Sequence, residues 1–325
     1  MARWWNPSAN SNSNVTSAWS ATKGGPTGAS VPGINDDVHF TSGNNKNCTI
    51  NANHIWKSVT FDEDSGYSGQ LSMSGIRYIN VNGNFILSSA MTFGATIPDL
   101  SFGGTTYNID FKGKTWKNQV SISNNGTVTL LSDFNNTGYN LNLSTSNSIL
   151  KAISRTIRTK NIINNGLLDF SSNTIYCTTY QYGSASSFAD TSDWYVTNFR
   201  DNSGNTSYKT IHLVGSYGDI AAVATDIIFD YTGYQEVELY GDVYVANPVF
   251  SGNSSDLKRI YGNGSTLYYL GSGKVSLDYI EIDNTNGSPD LTWYLGTHSV
   301  DDGGNNQIYF TDPPPLSFKP QVIFM

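Results

Sequence analysis

The fold is decided by the stretch Val275-Ser276-Leu277-Asp278-Tyr279-Ile280-Glu281-Ile282-Asp283. Its apolar residues alternate with polar ones at positions 275 and 277, and the alternation resumes out of phase at 280 and 282. Because successive side chains of a strand point to opposite faces, this change of phase predicts two short strands that meet at a corner. An aromatic pair, a Gly-rich loop and a final Ile-Tyr-Phe follow, which indicates a stack of coils closed by a cap.

Short alternating segments of the same kind recur along most of the chain. Each predicts a strand of a few residues with one buried face. The apolar pairs are Ile79 with Val81, Phe85 with Leu87, Met91 with Phe93, Val128 with Leu130, Leu168 with Phe170, Val237 with Leu239, and Val243 with Val245.

The turn glycines recur at a nearly constant step of 20 to 23 residues. They are Gly83, Gly104, Gly126, Gly166 (two steps on), and the pair Gly241 and Gly264. Periods of about 20 to 50 residues indicate stacked repeats, and a propeller blade would need about twice this step. We therefore predict an all-β chain, a right-handed parallel β-helix. The Asn-Gly pairs fit coil corners, where both residues accept positive φ, or hairpin turns; the period favours corners.

The amino-acid composition indicates a folded, acidic protein. Of 325 residues, 38% are hydrophobic and 14% charged, and 20 Tyr, 15 Phe and 7 Trp supply a core that disordered chains lack. The net charge of −8 argues against a nucleic-acid surface, which needs clustered Lys and Arg.

Residues 150–160 alone concentrate positive charge; we interpret them as a solvated basic face, helical or extended. No signal-peptide core or bilayer-length run is present, so we expect a soluble protein released into the cytosol.

The metal-binding and redox residues are scattered. Cys48 and Cys177 lie far apart without a CxxC neighbour, so neither a disulfide framework nor a zinc site is expected, and Cys177 is predicted to be a small buried hydrophobe. The four His show no zinc-binding spacing, and no cofactor is expected. The Gly-rich turn containing Asp301, Asp302 and Asn305 is a weak candidate for Ca²⁺, because it offers hard oxygen ligands but lacks the spacing of an EF-hand.

Three segments are expected: an N-terminal Trp-rich cap or attachment segment (1–35), the β-helix (36–310) and an extended C-terminal arm (311–325). Three consecutive prolines make the arm extended, and its apolar end is costly to leave in water. We predict that it docks on a neighbouring subunit, or else folds back on its own β-helix. The predicted interface residues are Trp4, Trp5, Trp19, Leu316, Phe318, Val322, Ile323 and Phe324.

Carboxylates are the alternative source of chemistry, since paired acids suffice for glycoside hydrolysis. Adjacent acids of a strand point in different directions, so solvated turns explain them better and no catalytic residue is assigned. The candidates are 62–64, Asp36 with Asp37, Asp190 with Asp193, Glu236 with Glu238, and Asp301 with Asp302.

Tyrosines of the last third could stack on sugar rings if exposed, but we favour aromatic ladders inside the coil. They are Tyr231, Tyr234, Tyr240, Tyr244, Tyr268 and Tyr269.

The chain resembles a group of β-helical virion proteins of tailed bacteriophages. The resemblance covers roughly residues 20–310 and rests on structural motifs of moderate specificity. They lie at 24–32, 35–40, 56–61, 83–93, 113–116 and 275–310. The Pro-rich tail and the irregular stretch 182–208 depart from the pattern and leave open which virion part the chain builds.

This resemblance implies a virion exterior and transfers no catalytic residue. We expect a non-enzymatic structural protein, a capsid decoration or head-surface protein made in the host cytoplasm and exposed on the particle. Its expected partners are further copies, as a homotrimer, and other virion proteins such as major capsid or tail proteins; neither nucleic acid nor membrane is expected. The alternative is a tail fibre or tailspike protein that binds or depolymerises host surface polysaccharide.

Overall fold

A computed structural model describes residues 1–63, 66–123, 125–182, 189–201, 207–250 and 252–314; at 62, 63, 182, 189, 190 and 207 it describes the backbone alone. The predicted fold class is confirmed, because the chain is an all-β parallel solenoid of about 12 turns, a right-handed β-helix. It divides into two compact units, Met1–Ile211 and His212–Met325. Within the described part of the chain, no helix is long and apolar enough to cross a membrane.

Among its described residues, the first unit contains three sheets and a single-turn 3₁₀ helix at Thr16–Ala18. Its strands are β1 Ala2–Trp5, β2 Ser11–Asn12, β3 Trp19–Ser20, β4 Asp37–Thr41, β5 Cys48–Ile50, β6 His54–Trp56, β7 Ser58–Glu63, β8 Gln70–Met73, β9 Tyr78–Val81, β10 Phe85–Ile86, β11 Thr92–Phe93, β12 Asp99–Phe102, β13 Thr106–Asp110, β14 Val120–Ile122, β15 Thr127–Leu130, β16 Phe134–Leu143, β17 Ile149–Ile153, β18 Thr156–Asn164, β19 Leu167–Ser171, β20 Thr174–Tyr182 and β21 Ala189–Arg200. Strand β22, Ser207–Leu213, lies at the boundary of the units.

These sheets run in the orders β19-β17-β15-β13-β10-β7-β4-β1-β3, β11-β8-β5-β2, and β21-β20-β18-β16-β14-β12-β9-β6. Their ladders are parallel, except that β3 closes the N-terminal edge by pairing antiparallel with β1. Strand β1 pairs with β4, so the first strand of the chain extends the stack of coils.

The second unit has a main sheet in the order β31-β28-β25-β24-β23, with β26 and β29 beside it, and a small sheet β27-β30-β32. Its strands are β23 Tyr217–Phe229, β24 Gln235–Val249, β25 Lys258–Tyr261, β26 Thr266–Tyr269, β27 Val275–Leu277, β28 Ile280–Asp283, β29 Asn286–Ser288, β30 Trp293–Leu295, β31 Val300–Gly303 and β32 Ile308–Tyr309.

The stretch that predicted a corner forms one. Strands β27 and β28 belong to different sheets, and all four of their apolar residues are buried. Tyr279 joins them with a φ of 58°, in the left-handed region. The repeat length is also confirmed in the first unit, because Leu100 pairs with Ile79, 21 residues earlier, and with Val120, 20 residues later.

The corner glycines are required for close approach between coils. We expected positive φ at the Asn-Gly corners, but Gly83, Gly126 and Gly166 are not among the positive-φ residues. A Cβ atom on Gly126 would instead lie 1.6 Å from the carbonyl oxygen of Thr105, and one on Gly104 would lie 1.7 Å from that of Asn82. The backbone of one coil thus rests on the corner of the previous coil, where no side chain fits.

Aromatic rings fill the first coils from the N-terminal edge inward. Ring centroids are 6.0 Å apart for Trp19 and Phe40, 4.2 Å for Phe40 and Phe61, and 6.3 Å for Phe61 and Phe85. Each of these rings is fully buried. Aromatic pairs at such separations stabilise a core beyond their area burial, so the rings bind each coil to the next.

Three further sequence predictions concern local structure. Cys177 is buried, as predicted, and so is Cys48; burial raises the pKa of both thiols. The basic stretch is extended, since it lies in β17 and β18, and of its two helically spaced isoleucines Ile157 is buried while Ile153 is exposed. The stretch expected to be irregular contains β21, a strand of 12 residues.

Candidate functional site

One outer surface of the second unit concentrates charged and aromatic side chains. Tyr217, Glu236, Arg259, Glu281 and Val300 are successive partners across β23, β24, β25, β28 and β31, and therefore form one row. Their neighbours in sequence at 237, 260 and 282 are buried, so the row points outward. We call this row, together with Tyr234, Glu238 and Asp302, the acidic face.

Arg259 is the centre of the acidic face. Its guanidinium lies 3.3 Å from Glu236, 3.1 Å from Glu281 and 3.3 Å from Asp302, three carboxylates that belong to three different coils. One cation therefore serves three anions. Partial burial raises the pKa of Glu281, and its hydrogen bond to Asp302 and the repulsion between the two groups raise it further.

Two tyrosines frame this network. The Tyr217 hydroxyl donates to Glu238 Oε2 at 3.2 Å, and the Tyr234 hydroxyl donates to Glu236 Oε2 at 3.2 Å. Both rings are exposed. Their hydroxyls are thus held by carboxylates while their apolar faces remain open to a ligand.

The turn before Tyr234 is held by a buried lysine that sequence reasoning missed. The ammonium of Lys258 donates to the carbonyl oxygens of Tyr231 at 2.5 Å and Gly233 at 3.0 Å, and it pairs with Asp256 at 2.8 Å. A buried charge needs such partners. Lys258 and Ile260 share the inward face of β25. One apolar residue is too short a pattern to define that face, so the sequence does not indicate that Lys258 is buried.

The prediction that the tyrosines of this region form interior ladders is wrong. None of the six is buried; the rings of Tyr244 and Tyr268 stack outside, with centroids 4.3 Å apart and planes inclined by 5°. We call this pair the tyrosine stack. The sequence contained the signal, because Tyr244 lies between Val243 and Val245, both buried, and must therefore point outward.

The predicted carboxylates Asp36, Asp37 and Asp193 each pair with a different cation. Asp36 is buried near Arg3, Asp37 pairs with Lys57 at 2.9 Å, and Asp193 pairs with Lys209 at 3.2 Å. Hydrogen bonds from Ser58 and Lys57 outweigh partial burial and lower the pKa of Asp37. Asp64 lies outside the described residues, as do the side chains at 62, 63 and 190.

The weak calcium candidates are each held by protein groups. Asp301 Oδ1 accepts from the Gly303 N–H at 2.9 Å and from Asn305 Nδ2 at 2.6 Å. Asn305 Oδ1 accepts from the Thr285 N–H at 3.0 Å, while Asp302 faces Arg259. Among the described residues, no group of three or more His, Cys, Asp or Glu could hold a metal ion.

The predicted interface residues fall into two groups. Trp5 and Trp19 are buried in their own unit, so they offer a partner no surface; of the three tryptophans, Trp4 alone is half-buried, stacked on His39 at 4.3 Å. The arm residues Leu316, Phe318, Val322, Ile323 and Phe324 lie outside the described residues.

Comparisons with known proteins give one partial likeness. No protein-family model matches the chain, and no solved structure matches it significantly. The nucleoside-specific channel-forming proteins Tsx of Escherichia coli O157:H7 and of Shigella flexneri are each 27% identical to it over 105 residues. This match covers 31% of the chain and 35% of each Tsx protein, so the chain spans about a third of the length of these relatives.

Proposed function

We propose that the chain is a non-enzymatic structural protein of a bacteriophage virion, a rigid β-helical decoration of the capsid or head surface. The observation that carries this proposal is the continuous stacking of buried aromatic rings from coil to coil, from Trp19 through Phe40 and Phe61 to Phe85. Backbone ladders and interior rings resist local opening, which suits a molecule that works by stiffness. The motif resemblance described above supports a virion exterior.

The proposed partners are further copies of the chain, as a homotrimer, and other virion proteins such as the major capsid or tail proteins. Antibody labelling of intact particles, imaged by electron microscopy, tests the location. Label distributed over the head is the expected result. Label confined to the tail would move the proposal to a fibre, and purified particles that lack the chain would overturn it.

A tail fibre or tailspike function is the second candidate, because the tyrosine stack and the tyrosines of the acidic face lie outside. Flat aromatic surfaces beside hydrogen-bonding carboxylates suit the apolar faces and hydroxyls of sugars. Incubation of the protein with host capsule or lipopolysaccharide separates the functions. Shortened polysaccharide supports depolymerisation, and retention of the protein on uncleaved polysaccharide supports binding. If neither is observed, the structural function is favoured. Retention should fall in Tyr244→Ala with Tyr268→Ala, and stay unchanged in Tyr139→Ala, an exposed tyrosine of the first unit.

The names of the Tsx relatives add nucleosides to the ligands worth testing, since a base can also stack on an exposed ring. Uridine and adenosine can be titrated against the same variants while tyrosine fluorescence is followed. Saturable quenching that disappears in Tyr244→Ala with Tyr268→Ala would support nucleoside binding. A flat titration of the wild-type chain would remove nucleosides from consideration.

A further inference from the structure

The N-terminal cap contains a cleft beside a tryptophan that is only half-buried. The cleft has a volume of about 170 Å³, and Trp4, Trp5, Lys23, Thr41 and Gly43 are among the residues that line it. Trp5 and Thr41 are buried and therefore lie at its floor, whereas Lys23 and Gly43 are exposed and lie at its rim. We call this concave surface the Trp4 cleft.

Trp4 differs from its neighbour Trp5 in both its ring and its N–H group. Trp5 is buried, and its indole N–H donates to the carbonyl oxygen of Lys46 at 2.9 Å. The indole N–H of Trp4 has no acceptor in the described part of the chain, and it is not buried. His39 covers one face of the Trp4 ring at 4.3 Å but does not line the cleft, so the cleft adjoins the rest of the ring. A ligand in the cleft thus meets an apolar ring and a hydrogen-bond donor.

An aromatic ring beside an N–H donor suits a proline-rich segment in the polyproline II conformation. Such a segment presents pyrrolidine rings that pack on aromatic side chains, and its carbonyl oxygens make no internal hydrogen bonds, so they accept from an indole N–H. The chain has a single run of consecutive prolines, in the segment 312–316 at the start of the C-terminal arm. The charges also match, because Asp312 in this segment is exposed and the Lys23 ammonium lies 5.9 Å from the centre of the Trp4 ring.

The arm leaves the second unit at an exposed proline. The Pro314 carbonyl oxygen accepts from the Lys274 ammonium at 3.4 Å, and the Lys274 ammonium lies 4.9 Å from the centre of the Tyr294 ring. Residues 315–325 follow Pro314, and these eleven residues reach at most about 40 Å when extended. The arm is therefore long enough to contact another molecule beside the second unit.

We infer that the proline segment 312–316 of one copy binds the Trp4 cleft of a second copy of this chain. Pyrrolidine rings pack on the Trp4 ring, the Trp4 N–H donates to a carbonyl oxygen of the segment, and Asp312 approaches Lys23. Because two different surfaces meet, the contact is heterologous; it closes into a ring, such as the proposed trimer, if the rotation between copies allows, and otherwise continues as an open chain. This inference rests on the self-association in the proposed function and names its surfaces, but it does not depend on where in a virion the protein lies.

The test uses the full chain and follows its mass by sedimentation velocity. Wild type should associate, and an excess of a synthetic peptide of residues 311–320 should dissociate it, because the peptide competes for the cleft. The same peptide with alanine at its three consecutive prolines should compete at least about tenfold less well. Trp4→Phe keeps an apolar ring but loses the N–H donor, so its association should be about fivefold weaker than that of wild type.

Two variants of the full chain separate the cleft from the arm. Gly43→Leu fills the cleft, since a Cβ atom there would lie 3.6 Å from the Thr41 hydroxyl oxygen, and it should weaken association at least about tenfold. Pro314→Ala with Pro315→Ala should weaken it to a similar extent. An equimolar mixture of the two variants should form dimers but nothing larger, because each pair holds one intact cleft and one intact arm.

A matched variant, Gly138→Leu, adds the same side chain at a glycine outside the cleft, where a Cβ atom would meet nothing within 4 Å, and it should associate like wild type. Peptide competition on wild type keeps the test valid even if a variant folds poorly. A wild-type chain that is monomeric at every concentration, an assembly that the peptide leaves intact, or a mixture that stays monomeric would each overturn the inference. Particle labelling remains informative in all three cases, so failure of this interface and failure of the virion proposal are distinguishable.

Discussion

At the scale of single residues, His54 is a buried histidine that contacts a hydroxyl and an aromatic ring. Its Nε2 lies 2.6 Å from the Ser13 hydroxyl, and its ring stacks on Trp56 at 4.8 Å. Both Ser13 and His54 are buried, so the pair is closed to a substrate and joins the N-terminal coil to the next one. Burial lowers the pKa of His54 to about 4, because the charged imidazolium would lose its hydration.

The lowered pKa of His54 predicts that the fold becomes less stable as the pH falls. The unfolded chain binds a proton at the ordinary pKa of 6.5 and the folded chain at about 4, so the contribution of His54 to stability is complete above 6.5 and is lost as pH falls towards 4. Between about pH 7.5 and about pH 5 the loss should be roughly 2 kcal/mol of unfolding free energy. Urea denaturation at both pH values measures it.

The glutamine variant isolates this contribution. His54→Gln can still hydrogen-bond Ser13 but does not titrate, so its stability should fall less between the two pH values than that of wild type. Equal pH dependence in wild type and His54→Gln would contradict the prediction.

At the scale of strands and corners, close contact between coils sets the tolerance to substitution. Gly126→Ala would press a methyl group into the Thr105 carbonyl, while a Cβ atom on Gly138, in β16, would meet nothing within 4 Å. We expect Gly126→Ala to lower the unfolding free energy by about 2 kcal/mol or more, and Gly138→Ala to be neutral or slightly stabilising. Thermal melts of the two variants, which make the same chemical change, provide the comparison. Similar melting temperatures would show that the corner can relax.

The interior rings offer a second test at this scale. Phe85 is fully buried, and its ring lies 5.8 Å from both Phe102 and Trp116. Phe85→Ala should therefore lower the unfolding free energy by about 3–5 kcal/mol, because apolar burial is lost and a cavity is left behind. Phe85→Leu, which keeps most of the volume, should cost less than about 1.5 kcal/mol in denaturant titrations. An alanine variant as stable as the leucine variant would mean that the coils collapse around the gap.

Sequence patterns predicted the repeat and its corners because both depend on local alternation. The phase change between Leu277 and Ile280 could be recognised without any partner strand. Contacts between coils were not predictable in this way. The sequence shows that Gly126 recurs in step with other glycines, but not that the Thr105 carbonyl occupies the space of its side chain. The Arg259 network likewise unites residues far apart along the chain, which only the stacking brings together.

At the scale of the whole molecule, the two units differ in charge and should respond differently to salt. Residues 1–211 contain 14 Lys and Arg against 12 Asp and Glu, and residues 212–325 contain four against 14. Folding concentrates the net charge of −10 of the second unit, and the carboxylates of Glu281 and Asp302 repel one another there, which adds to the effect of partial burial on the pKa of Glu281. Because Glu281 has a higher pKa folded than unfolded, its contribution favours the folded state at low pH and is lost as pH rises through the folded pKa. Screening should relieve the same repulsion at neutral pH.

Hydrogen exchange measured by mass spectrometry can follow each unit separately in the intact chain. Raising salt from about 50 to about 500 mM should slow exchange in β24, β25 and β28, whereas strands β13, β15 and β17 of the first unit, near neutral overall, should change little. Glu238→Gln removes one charge while retaining an acceptor for Tyr217, so it should slow exchange in the second unit at low salt and reduce the salt effect there. If salt slowed exchange equally in both units, a general effect of salt on apolar burial would explain the response better than relief of repulsion within the second unit.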